Sequence, residues 1–267
     1  MMRSAETKVR GFTLVELAVV IVIVALLLGA LLVPLATQVQ VRNTKETREA
    51  LNDIKEALLG YAVTQGRLPC PDTDRDGLEN ACGGVPIPID VVEGFLPWQD
   101  LAVPPTDAWG RIYRYAVARE FTELAQPGAP AAFGQLDLTD IATATISVFT
   151  RGDDPSVGGG GETKEPIQLT GSAPAVVLSV GSNGLGGSVL GGPDMAFAAA
   201  GDELVNVSAI FPAAIPGRTF RQRPHTPEST ACSDTVEGQP FCEFDDILIW
   251  LSGPVLLNRM VEARQLP

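Results

Sequence analysis

The sequence predicts an α+β chain: one long N-terminal helix followed by a head built on an antiparallel β-sheet. Three observations predict it. Leu17 to Val41 is a run of 25 residues without a charge, which reads as a continuous apolar helix. Behind it, Leu51, Ile54, Leu58 and Tyr61 recur at three- and four-residue spacing, with Lys45, Glu49, Asp53 and Glu56 on the other positions; that is the stripe of a helix lying on a core. Beyond residue 66 the chain turns to short apolar bursts, and most of its 21 prolines and 27 glycines fall there. Short bursts punctuated by turn residues argue for an antiparallel sheet.

The helix is expected over residues 12–65, with the part at about 12–36 spanning a membrane. At about 1.5 Å per residue the apolar run is long enough for a hydrocarbon core of roughly 30 Å. Gly29 and Pro34 weaken the helix locally, since Pro34 removes one backbone hydrogen bond, and the helix should stop near Gly66, before Arg67-Leu68-Pro69. Arg3, Lys8 and Arg10, opposed only by Glu6, hold the N-terminus in the cytoplasm and send the rest of the chain across. A signal peptide would end in small residues at a cleavage site, but Leu31-Leu32-Val33-Pro34-Leu35 runs straight into Gln38-Val39-Gln40. Glu16 stands at the entrance of the apolar run, where an unpaired buried charge costs several kcal/mol. A new α-amino group, created by a cut between Gly11 and Phe12, is the obvious compensation.

Gly11-Phe12-Thr13-Leu14-Val15-Glu16, with a short basic leader before it and an apolar helix after it, resembles the processing site of type IV pilins and type II secretion pseudopilins. The resemblance implies a leader at 1–11, cleavage after Gly11 by a prepilin peptidase, methylation of Phe12, and pairing of Glu16 with the terminal amine of a neighbouring subunit. It further implies a pilin-like fold, with the helix at 12–65 packed on a head at 66–267.

In the head, Ile112 to Val117, Ala144 to Phe149 and Ala175 to Val180 read as strands, Gly158 to Gly161 as a flexible loop, and 191–239 as a long excursion poor in pattern. The net charge of −13 argues against a surface that tracks phosphates, so no nucleic-acid partner is expected. Excess carboxylates favour divalent cations instead. The four cysteines form two close pairs in the exported region, predicting disulfides Cys70–Cys82 and Cys232–Cys242; zinc lacks a C-x-x-C, and the only histidine is His225. His225 has no nucleophile motif near it, so no catalytic site is read and the chain is not expected to be an enzyme.

Two calcium sites are candidates. Asp72-Thr73-Asp74-Arg75-Asp76-Gly77 fits the opening of a calcium loop, with alternate carboxylates aimed at one hard cation and a glycine for the sharp turn. Loop position twelve is Gly83, so Glu79, Asp90 or backbone oxygens would complete the shell around Asp72, Asp74 and Asp76. Further on, Asp107-Ala108-Trp109-Gly110-Arg111-Ile112-Tyr113-Arg114-Tyr115 resembles a strand entry of the major pseudopilin of type II secretion. Leu178 to Gly184 is similar to that protein's calcium-loop segment, and Asp245-Asp246 to its later acidic pair. That resemblance implies calcium on Asp245 and Asp246, with oxygens from Ser182, Asn183 and the Leu178 backbone. Asn183 stands where the family usually has an aspartate.

The combined expectation is a structural subunit, minor because a bulky head crowds a helical lattice, of a type IV pilus-like or type II secretion pseudopilus filament. Its implied partners are other pilin or pseudopilin subunits, the prepilin peptidase and an inner-membrane assembly platform. Its implied location is the bacterial inner membrane and then the filament. The alternative is a membrane-anchored, calcium-binding adhesin or binding module exported by the same route.

Overall fold

A computed structural model describes residues 13–82, 91–122, 146–151, 164–198, 200–207, 213–215, 217–236 and 238–264, without the side chains of 28–36 and 213–215. Gly11, Phe12, Asp90 and the glycine run 158–161 lie outside the described residues. The chain forms two compact units, Met1–Asn43 and Thr44–Pro267, and helix α1 (Leu14–Gln65) contributes to both.

In the first unit the helix start is set by Thr13, whose hydroxyl accepts the Glu16 N–H at 3.2 Å. Threonine as N-cap with glutamate three residues on is a capping-box sequence, in which the carboxylate also favours the positive end of the helix dipole. The large apolar side chains described from Leu14 to Leu27 are all at least 46% exposed. Among the described residues no helix is long and apolar enough to cross a membrane. The span expected at about 12–36 includes Phe12 and the side chains of 28–36, which are outside that set.

The second unit begins with the rest of α1. Leu51, Ile54, Leu58 and Ala62 are buried at helical spacing, against strands of the head. Tyr61 is partly buried and donates its hydroxyl to Glu79 at 2.9 Å. The helix ends at Gln65, and Gly66, at φ 74°, turns its N–H back to the Ala62 carbonyl at 2.8 Å; a left-handed residue there is easiest for glycine.

The head holds β1 (Val91–Phe95), α2 (Trp98–Leu101), β2 (Arg114–Ala118), β3 (Ile146–Thr150), β4 (Ile167–Ala173), β5 (Ala175–Ser179), α3 (Asp202–Asn206), β6 (Ala213–Ile215), β7 (Arg218–Arg221), β8 (Ile247–Trp250) and α4 (Gly253–Glu262). Five strands form an antiparallel sheet in the order β6-β1-β2-β5-β8. β2 and β5, which lie inside the sheet, are buried along their whole length, with Arg114 and Ser179 buried among the apolar residues. A second sheet, β4-β3-β7, is mixed: β3 runs antiparallel to β4 and parallel to β7.

The stretch 191–239, patternless in sequence, supplies α3, β6 and β7. Among its described residues, more of the buried side chains are charged or amide groups than apolar ones. Asp202, Glu203, Asn206, Arg223 and Asp234 are all buried there, so hydrophobic periodicity carries no trace of it.

Truncating Ile54, fully buried on the α1 stripe, should cost about 2–5 kcal/mol through lost transfer energy and the cavity left behind. Asp53→Ala, on the exposed side, should stay within about 0.5 kcal/mol. Denaturant unfolding of the two variants, as full chain in detergent micelles, checks the helix register.

Candidate functional site

The Asp-Ala-Trp-Gly segment is a turn held by one carboxylate. Asp107 Oδ1 accepts the N–H groups of Trp109 and Arg111, each at 2.9 Å, and Oδ2 accepts the Ser179 hydroxyl at 2.7 Å. Burial raises the Asp107 pKa in spite of these donors. The turn aims Arg111 at the segment after β5: its guanidinium donates to the carbonyls of Gly181 at 2.6 Å and Ser182 at 2.9 Å. Gly181, at φ 63°, must be glycine, because a Cβ there would overlap the Asp245 carboxylate.

From this fixed loop the Ser182 hydroxyl at 2.6 Å and the Asn183 N–H at 2.7 Å both donate to Asp245 Oδ2. Asp245 Oδ1 is buried and has no hydrogen-bond partner. A bare carboxylate oxygen inside a protein is costly unless something positive meets it. Asp246 lies beside it, its Oδ2 accepting from the Asn206 amide at 2.8 Å.

The third carboxylate comes from the patternless stretch. Glu203, on α3, accepts the Asp245 N–H at 3.0 Å and the Asn183 amide at 3.1 and 3.2 Å. One oxygen of each of Glu203, Asp245 and Asp246 lies within 4.8 Å of the others, and all three residues are buried. Burial pushes the Glu203 carboxyl up to about 7, with the Asp245 charge adding to it. Burial and then the Glu203 charge hold Asp246 well above the ordinary aspartate range. Three buried carboxylates this close together are hard oxygen donors that suit a divalent cation of the calcium type. Asn183 is brought into this group as a donor that supports Glu203, with its own Oδ1 capping the Leu185 N–H at 2.9 Å. Leu178 sits in the β5 ladder opposite Arg114 and Leu248.

Asp72, Asp74 and Asp76 also come within 4.8 Å of one another, but the loop is organised differently. Asp72 is buried and both its oxygens are engaged: Oδ1 accepts the N–H groups of Asp74 at 3.0 Å and Arg75 at 2.7 Å, and Oδ2 that of Gly77 at 2.8 Å. Asp74 and Asp76 are exposed. Glu79 turns away to Arg67, at 2.5 and 2.7 Å, to the Cys70 N–H at 2.9 Å and to Tyr61. Burial works to raise the Glu79 pKa, but the Arg67 hydrogen bonds and the other donors leave it lowered. Disulfides Cys70–Cys82 and Cys232–Cys242 are both formed.

Glu203 is the residue that sequence reasoning missed. It stands 42 positions from Asp245, in a five-residue helix too short to show periodicity. The one available signal was negative: an asparagine where the resemblance implies an aspartate.

Residues 7–32 match the family model for the prokaryotic N-terminal methylation motif, the signature of type IV pilins and pseudopilins. No curated protein and no solved structure matches the chain. Gly11, Phe12 and Glu16 all fall within the matched segment.

The carboxylate cluster predicts a pH dependence. Folded Glu203 keeps its proton up to about 7, against 4.5 for an ordinary glutamate. The folded state therefore binds more protons between those values, and stability falls as pH rises through the window. Without divalent cations, the wild type should lose on the order of 3 kcal/mol relative to Glu203→Gln between about pH 4.5 and 7. Chemical unfolding of both proteins in EGTA across that range measures the difference.

Proposed function

We propose that this chain is an exported structural subunit, a minor one, of a type IV pilus-like or type II secretion pseudopilus filament. The observation that carries the reading is the methylation motif over residues 7–32, joined to a helix whose apolar side chains from Leu14 to Leu27 are exposed. Exposed apolar surface on this scale calls for a bilayer or other helices around it. The membrane-spanning segment is about 12–36, and neighbouring subunits bury the same surface once the filament forms. Cleavage after Gly11 frees Phe12 as a methylated terminus. Glu16, in the first turn of α1, then pairs with the terminal amine of the next subunit. Within hydrocarbon an unpaired carboxylate is strongly unfavourable, so the pair selects one axial register between subunits.

In the head, Glu203, Asp245 and Asp246 hold calcium. The orphaned Asp245 Oδ1 is the observation that favours this group over Asp72, Asp74 and Asp76, where backbone N–H groups already satisfy the buried carboxylate. Bound calcium supplies two positive charges that relieve the repulsion among three buried acids. Its contribution is to stability; no chemical step is involved.

Mass spectrometry of the N-terminus of assembled material should find methyl-phenylalanine at Phe12, and an intact leader in filaments would refute the processing reading. Glu16→Ala should insert into the membrane normally while its recovery in sheared filaments drops by about tenfold or more, as expected for loss of a buried charge pair. Calcium at a hundredfold excess over Kd adds about 2.7 kcal/mol, so the full chain in micelles should melt roughly 5–10 °C higher in calcium than in EGTA. That increment should vanish in Glu203→Gln with Asp245→Asn; its survival there would move the site to Asp72, Asp74 and Asp76.

A further inference from the structure

Glu203 reaches Asp245 and Asp246 from a distant part of the chain, on a helix of five residues. Such a helix has no stability of its own, and the carboxylate it carries is repelled by the two it approaches. The Asp245 N–H and the Asn183 amide hold the carboxylate itself; the start of its helix needs an anchor of its own. We infer that Asp234, inside the loop closed by the Cys232–Cys242 bridge, is the positioning residue of the cation site; the inference rests on the calcium reading of Glu203, Asp245 and Asp246.

Asp234 is buried, and its two oxygens join two segments. Oδ2 accepts the N–H of Asp202, the first residue of α3, at 2.8 Å. Oδ1 accepts the N–H of Cys242 at 3.0 Å, three residues before Asp245. The same carboxylate therefore fixes the start of the helix that carries Glu203 and the strand approach that carries Asp245 and Asp246. Arg223 braces the junction, donating to Asp234 at 3.1 Å, to Asp202 at 3.1 Å and to the Cys242 carbonyl at 2.9 Å. The fit is close: Gly201, at φ 91°, precedes α3, and a Cβ there would come within 2.6 Å of Asp234 Oδ2. α3 also carries Asn206, which donates to Asp246, so releasing Asp234 loosens support for two of the three carboxylates together.

Asp234 is not among the three grouped carboxylates; its effect on a cation is through preorganisation. Partners of this kind, one layer out from the ligands, commonly change metal affinity by about 10–100-fold. The bridge adds to this by restricting the 232–242 loop, so that Asp234 and Cys242 stay together before any cation arrives. The Cys70–Cys82 bridge closes a different loop and should have no such influence.

Calcium titration calorimetry of the full chain in micelles at fixed pH tests this. Asp234→Asn, Gly201→Ala and Cys232→Ser with Cys242→Ser should each weaken calcium binding by about tenfold or more. Cys70→Ser with Cys82→Ser should leave Kd within about twofold. Ile54→Ala serves as the control for plain destabilisation: it lowers the melting temperature and should leave Kd unchanged. Gly201→Ala retains both Asp234 and the bridge, so it decides the matter if Asp234→Asn does not fold. Calcium binding of unaltered affinity in Gly201→Ala and in the Cys232/Cys242 double variant would overturn the inference while leaving the cation site intact. Absence of calcium binding to the wild type, or binding that survives in Glu203→Gln with Asp245→Asn, would overturn the cation reading and this inference with it.

Discussion

Negative charge inside the head is the constraint on which the rest of this structure depends. A buried carboxylate is tolerated only when donors or cations meet it, and the chain meets its buried acids in three ways. Asp72 and Asp107 collect backbone N–H groups and so become the centres of turns. Glu93 pairs with Arg218 at 3.0 Å, and Asp202 with Arg151 at 2.8 Å and Arg223 at 3.1 Å. Asp245 keeps one oxygen unmet, next to Glu203 and Asp246. The first two solutions build the scaffold. The third gathers three buried acids closely enough to hold a metal ion.

Those solutions form one connected arrangement. The turn at Asp107 aims Arg111, Arg111 fixes the carbonyls of Gly181 and Ser182, and that loop presents Ser182 and Asn183 to Asp245. On the other side, the arginines around Asp202 and the carboxylate of Asp234 fix α3 and with it Glu203. The same turn touches the long helix, since the Ala108 N–H donates to Thr47 at 3.3 Å. Packing on α1 and the geometry of the carboxylate cluster therefore draw on shared residues.

The acidic loop at Asp72 shows how one pattern serves two physical ends. Aspartates at alternate positions with a following glycine fit a calcium loop, and they equally fit a series of side chains that cap the N–H groups two to five residues on. Sequence spacing is the same in both cases. The three-dimensional difference lies in whether the carboxylate oxygens remain free, and at Asp72 they do not.

The sequence alone determined whatever depends on neighbours along the chain. The apolar run, the α1 stripe of Leu51, Ile54 and Leu58, its stop at Gly66, the central strands at 114–118 and 175–179, the two short disulfide loops and the methylation motif all follow from local periodicity, turn chemistry or a contiguous signature. Tertiary structure alone decided that 191–239 folds into α3, β6 and β7, that the smaller sheet is mixed, and that Glu203 lies beside Asp245 and Asp246. The physical reason is that those segments are held by ion pairs and amide hydrogen bonds between residues tens of positions apart. Such contacts leave no period in the sequence, and whether a charged side chain is buried or exposed depends on a partner that only the closed fold brings to it.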